Sequence, residues 1–157
     1  MDFGKLVDKF IEDENDFLLL EYIMNALNEG ASYNAYYVFK LVSIIELLIK
    51  NPNIRFWNNN DISKLAEFIN YNKNDRKLSR LIIQIRNKIG HGDFKALQHK
   101  TDKYADNYMK DYYMDYYEYS KINWVFLNLS CKLNQVLSDI LWGYLNDKDK
   151  MNNLKLK

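Results

Sequence analysis

Apolar residues recur three and four positions apart along most of this chain, the spacing that gathers side chains on one face of an α-helix. Phe3, Leu6, Val7 and Phe10 begin such a stripe, and EDEND at 12–16 interrupts it. Phe17, Leu20, Met24 and Leu27 resume it as far as Gly30, which reads as a C-terminal stop. Ser32 is placed to cap the next helix, YNAYYVFKLVSIIELLIK, which runs to the Asn51-Pro52 break. That helix is apolar nearly all round, as a central, buried element should be. Its exceptions, Lys40, Ser43, Glu46 and Lys50, are three or four apart and form one narrow polar stripe.

Asp61 is the candidate cap of a short helix through Ile62, Leu65, Phe68 and Ile69, and Asp75 of a longer one. On the longer helix Leu78, Leu81, Ile82, Ile85 and Ile89 define the inward face, and Gly90 is expected to end it in the left-handed conformation. Ile83 lies away from that face, one turn before Asn87; it is either a lone exposed isoleucine or a contact for a partner subunit. Within YADNYMKDYYMDYYEY, at 104–119, Tyr104, Tyr108, Tyr112 and Tyr116 keep helical spacing, with Tyr113 and Tyr117 beside them. Interleaved acids would repel a phosphate backbone, which favours core or dimer packing over base stacking for this stripe. Ile122, Val125, Leu129, Leu133, Val136, Ile140 and Tyr144 predict a long closing helix, and residues 146–157 read as a frayed polar tail.

Strand signals are weak, and no repeat or linker breaks the pattern. The expected fold is therefore all-α: one domain over 1–157, a bundle of four to five main helices with a tyrosine-rich helical insertion before the last. Composition agrees, since 157 residues at 48% apolar can bury a core, and one proline with five glycines would not supply the turns of a sandwich. Cys131 stands alone, which permits no internal disulfide and suits a reducing cytoplasm. The opening MDFGKLVDKF is not a secretory signal, and no apolar run reaches membrane-spanning length, so neither export nor a membrane partner is expected. Two histidines and one cysteine without ligand spacing argue against a metal, and no glycine-rich phosphate loop points to a nucleotide cofactor.

A net charge of +1 conceals an uneven distribution. Residues 1–32 hold eight acids against two lysines, whereas residues 73–103 hold nine Lys or Arg against three Asp. The basic segment is either a footprint for phosphate or a solvated helix face. It contains RNKIGHGDF at 86–94, where an apolar helix ends by presenting an arginine, an amide and a histidine within six residues. Arginine offers a planar fork of donors suited to phosphate oxygens, and histidine exchanges a proton near neutral pH. The pair suits phosphodiester cleavage by an internal 2′-hydroxyl, with a second histidine from a dimer mate completing the acid–base set. The bland alternative is a histidine that only complements the helix dipole. Lys88 would support the motif, Lys40, Arg80 and Lys95 are candidate cations for an RNA backbone, and His99 reads as a surface residue.

Arg86-Asn87-Lys88-Ile89-Gly90-His91 resembles the R-x(4–6)-H signature of the HEPN superfamily, in which Asn, Asp or His typically follows the arginine. FKLVSIIELLI resembles the HEPN helix that precedes the motif, with Glu46 as its acid, and the likeness extends over about residues 33–145 in helix order. The resemblance implies an up-and-down bundle that dimerises with both motifs at the interface to form a composite active site. It also implies a metal-independent endoribonuclease of toxin–antitoxin or anti-phage defence type, acting on RNA and restrained by an antitoxin or effector protein. By position, Arg86 would hold and polarise the scissile phosphate, and His91 would transfer the proton. Asn87 would orient the phosphate or the histidine, and Glu46 would position Arg86. One toxin subgroup carries a tyrosine two residues after the histidine, modified by its nucleotidyltransferase antitoxin; Asp93 stands there in this chain. A HEPN-like module that binds RNA, nucleotide or protein without catalysis is the alternative.

Overall fold

The computed structural model describes residues 3–28, 33–69, 75–110 and 118–157. Among them there are eight α-helices and no strand: α1 Phe3–Phe10, α2 Glu14–Asn28, α3 Ala35–Ile49, α4 Asn59–Ile69, α5 Arg76–Gly90, α6 Phe94–Tyr108, α7 Glu118–Asn146 and α8 Lys148–Leu156. None is long and apolar enough to cross a membrane. The all-helical bundle expected from the apolar periodicity is what forms, divided more finely than four or five helices.

The helix that is apolar nearly all round, α3, is the centre: Val38, Leu41, Ile44, Ile45, Leu48 and Ile49 are almost fully buried, and α4, α5, α7 and α8 pack around it. Its cap is Asn34, whose side chain accepts from the Tyr37 amide, and not Ser32, which lies outside the described residues. The closing helix α7 buries Val125, Leu129, Leu133, Val136, Ile140 and Tyr144, the stripe read from the sequence apart from the half-buried Ile122. The α2 stripe is less well covered. Ile23 is its buried residue, whereas Phe17 and Met24 are exposed.

Residues 146–157 are not frayed. Asp147 caps α8 by accepting from the Lys150 amide, and Met151 is buried. The acids that interrupt the first stripe help to hold this helix, because Lys148 lies 3.1 Å from Glu12 and also reaches Asp16 and the Phe10 carbonyl. The tyrosine-rich stretch is divided as well. Tyr104 and Tyr108 close α6, a helix that begins ten residues before the stripe, at Phe94. Tyr104 is fully buried with its hydroxyl on Asn128, which is the core packing expected of it. Tyr112, Tyr113, Tyr116 and Tyr117 lie outside the described residues.

The connection from α3 to α4 is fixed by a buried polar cluster. Asn58, not Asp61, caps α4, and its Oδ1 accepts from the Asp61 amide at 2.8 Å. Asp61 has no exposed surface; it accepts from the Asn51 amide and pairs with Lys64 at 2.9 Å. Lys64 also donates to the carbonyls of Ile49 and Lys155, and Asn51 to that of Leu156. A buried charge pair is tolerated only when its remaining donors and acceptors are satisfied, and these bonds do so. They tie the end of α3, the following loop and α8 together, and that loop forms one wall of the site described next.

Candidate functional site

The end of α5 folds as a Schellman turn. Gly92 donates to the Ile89 carbonyl and Asp93 to that of Lys88, with Gly92 at φ 66° and His91 as the last near-helical residue. The two glycines therefore divide the work differently from the sequence expectation. Gly90 is helical, and its need for glycine is steric: a Cβ there would sit 2.9 Å from Phe39 Cε2. Gly92 takes the left-handed conformation, and a Cβ at that position would meet nothing within 4 Å.

Phe39 is kept close because it carries Arg86. The guanidinium lies 5.1 Å above the Phe39 ring, within cation–π range. Its Nη2 is 2.9 Å from Glu46 Oε2, off the line of an aligned hydrogen bond, so the attraction is Coulombic. Nη1 donates to Asn87 Oδ1 at 3.1 Å. Arg86 is thus held from α3 by Glu46 and Phe39 and from its own helix by Asn87. Its buried Nε–H has no hydrogen-bond partner. About a quarter of the side chain remains open to solvent, 26%, so the group is both fixed and reachable.

That opening belongs to a cleft of about 460 Å³ lined by Glu46, Ile83, Arg86, Asn87 and His91, and, from the loop between α3 and α4, by Arg55, Phe56 and Trp57. Arg80, Gln84 and Ile62 complete the lining. The motif residues Arg86, Asn87, His91 and Glu46 are therefore brought together. His91 is exposed, and it interacts electrostatically with the Asp93 carboxylate two residues on. Ile83 is neither the exposed residue nor the partner contact expected of it; at 7% exposure it belongs to the core of this chain, and with Ile62 it lines the cleft.

The other candidate cations separate. Arg80 lines the cleft and donates to Asn59 Oδ1 at 3.0 Å. Lys88, Lys40 and Lys95 are not on its lining. Lys88 pairs with Asp93 at 2.9 Å, and this hydrogen bond, with that from the Ala96 amide, holds the Asp93 carboxyl below the usual carboxylate range. Lys40 lies against the rings of Tyr36 and Tyr37, and Lys95 is an exposed residue of α6. His99 is exposed, as expected. Among the described residues no group of three His, Cys, Asp or Glu side chains is placed to hold a metal ion.

Arg55, Phe56, Trp57 and Gln84 were not singled out in the sequence. Gln84 could have been placed by its helical register with Arg80, one turn before it, and Asn87, one turn after. The other three lie in a loop, where a cation beside two aromatic rings was the available signal. The polar stripe of α3 links the walls: Lys50 lies 3.9 Å from Glu46 Oε1 and also donates to the Ile54 carbonyl, immediately before Arg55. Comparisons with family models, with curated proteins and with solved structures found no match to this chain.

Proposed function

We propose that this protein is a metal-independent endoribonuclease of the HEPN type that cuts single-stranded RNA or a tRNA loop. The observation that carries the reading is the convergence of Arg86, Asn87, His91 and Glu46 on one open cleft, with the guanidinium immobilised and the imidazole exposed. Arginine has five N–H donors, and the bond to Asn87 engages one of them, which leaves donors for phosphate oxygens. In the reaction the 2′-hydroxyl loses its proton and its oxygen attacks the adjacent phosphorus. The bond from phosphorus to the 5′-oxygen breaks, and that oxygen takes up a proton. The products are a 2′,3′-cyclic phosphate and a 5′-hydroxyl.

Two protons move, and the cleft of one chain holds one histidine. We therefore assign the second proton transfer to His91 of a second copy in a homodimer. General acid–base assistance contributes about 10²- to 10⁴-fold, and donors at the developing oxyanion about 10²- to 10³-fold each. On the same resemblance we assign the activity to a toxin or anti-phage system with a cognate antitoxin or effector protein.

The test is incubation of purified protein with total RNA in EDTA. Shortened RNA with cyclic-phosphate ends, lost in both Arg86→Ala and His91→Ala while their melting curves stay near wild type, is the expected result. Equal cleavage by His91→Ala refutes the assignment. Retarded but intact RNA supports the alternative, a binding module without catalysis, which the single histidine of the cleft also fits. Growth arrest on induction of the wild-type gene, absent with His91→Ala, tests the toxin role.

A further inference from the structure

In the cleft that holds Arg86 and His91, Arg55, Phe56 and Trp57 of the loop before α4 build a surface that the cleavage chemistry does not use. Phe56 is 72% exposed, the largest exposure among the tyrosines, tryptophans and other phenylalanines whose exposure is described, apart from Phe94 at 75%. A loose loop could leave a ring in water, but this loop is tied at several points. Asn51 Oδ1 accepts from the Asn53 amide, Lys50 holds the Ile54 carbonyl, Asp61 holds the Asn51 amide, and the neighbouring Trp57 packs against the core. The ring is therefore displayed from a fixed backbone. One side of it is occupied by Arg55, whose guanidinium carbon lies 5.2 Å from the ring centroid. Arg80 lines the same cleft.

We infer that this wall is a subsite for an unpaired nucleotide next to the scissile phosphate, with Phe56 stacking the base and Arg55 and Arg80 holding the neighbouring phosphate. The inference rests on the reading of RNA as the ligand, but not on cleavage. Every base has a π-face, so a ring backed by a guanidinium takes bases with little regard to sequence, and it takes them only where they are unstacked from a partner strand. Arg55 beside the ring and Arg80 on the same cleft lining supply guanidinium donors suited to phosphate oxygens. At about 460 Å³ the cleft falls within the range of about 300–1,000 Å³ that ligand sites occupy.

Fluorescence anisotropy with a fluorescein-labelled hexauridylate in EDTA, using His91→Ala protein so that the probe stays intact, tests the subsite. Phe56→Ala should weaken binding about ten-fold or more, the loss of one stacked base, and Phe56→Tyr should restore it. Arg55→Ala and Arg80→Ala should each weaken binding and flatten its dependence on log salt by about 0.7. A labelled duplex should bind no better to wild-type Phe56 than to Phe56→Ala. Phe56 is exposed, so a thermal melt is expected to be unchanged by its substitution. Hexauridylate affinity within two-fold of the parent for Phe56→Ala overturns the subsite, even where Arg86-dependent cleavage persists. Phe56-dependent binding by a wild-type protein that never shortens RNA upholds the subsite and overturns the nuclease reading instead. Absence of any affinity for the probe overturns both.

Discussion

The two glycines of the α5 terminus allow the site's construction to be tested by adding one methyl group at a time. At Gly90 an added Cβ would stand 2.9 Å from Phe39 Cε2, closer than van der Waals contact permits, so the ring must move. Alanine gains up to about 1 kcal/mol over glycine inside a helix, and less in the last turn. Forcing a methyl into occupied space costs about 1–3 kcal/mol. The balance is a loss of about 1 kcal/mol for Gly90→Ala, or roughly 2–4 °C in melting temperature for a chain of this size. The ring that moves is the one beneath the Arg86 guanidinium, so RNA cleavage should fall well beyond what that stability loss explains. Gly92→Ala presents the opposite case, with free space but a left-handed backbone, φ 66°. Holding an L-residue there costs about 1–2 kcal/mol, whereas Asn tolerates the conformation, so Gly92→Asn should recover most of the loss. Thermal denaturation and initial cleavage rates on the three variants decide the matter. A Gly90→Ala protein that melts higher than wild type and cuts RNA at full rate would refute the claim that Phe39 is the seat of Arg86.

Lys64→Met leaves the fully buried Asp61 carboxylate without its cation, a cost of about 3–5 kcal/mol. A melting temperature lower by roughly 6–20 °C is expected, partly restored by adding Asp61→Asn. Burial pushes the Tyr144 hydroxyl up to about 12, and that hydroxyl donates to the Leu48 carbonyl at 2.7 Å. Because its folded value lies above the unfolded one of about 10, its contribution is complete below pH 10 and is lost as pH rises from there towards 12. Urea titrations across that window should show stability falling with pH, less steeply in Tyr144→Phe. Arg86→Lys keeps the charge beside Glu46 but not the planar fork, so kcat should fall about 10²- to 10³-fold, measured under saturating RNA.

What could be read from the sequence divides along the line between periodic and irregular backbone. α3, α5 and α7 declare themselves because their apolar spacing persists over several turns, and Asp75 caps α5 as expected, accepting from the amides of Lys77 and Leu78. Gly30 and residues 70–74 and 111–117 lie outside the described residues, and with them the expected helix stop and Tyr112, Tyr113, Tyr116 and Tyr117 of the stripe. Caps were placed less well, at Ser32 and Asp61 instead of Asn34 and Asn58, because several side chains able to cap stand within a few residues and only the backbone chooses among them. The helix of the tail is hidden in the sequence for a related reason. Lys148–Leu156 has a weak apolar stripe, and its helix is held by distant groups, Asn51 and Lys64, that no local pattern reveals.

The same distinction runs through the site. Arg86, Asn87 and His91 were legible because six consecutive residues at a helix end carry them, and Glu46 because it interrupts an apolar helix. Arg55, Phe56 and Trp57 acquire meaning only when the loop is folded back beside α5, and the folding-back is done by the buried Asp61–Lys64 pair, Asn51 and Lys50. Glu46 lies in the last turn of α3 and Lys50 is the residue that caps its C-terminus, so one helix end positions the arginine of one wall and the loop of the other. Glu46→Gln should therefore disturb both walls: it weakens the hold on Arg86 and frees Lys50 from its carboxylate. Cleavage and hexauridylate affinity should fall together, whereas Phe56→Ala should affect affinity far more than the rate at saturation. If Glu46→Gln lowers the rate while leaving affinity at the wild-type value, the two walls are independent and the coupling through α3 is wrong.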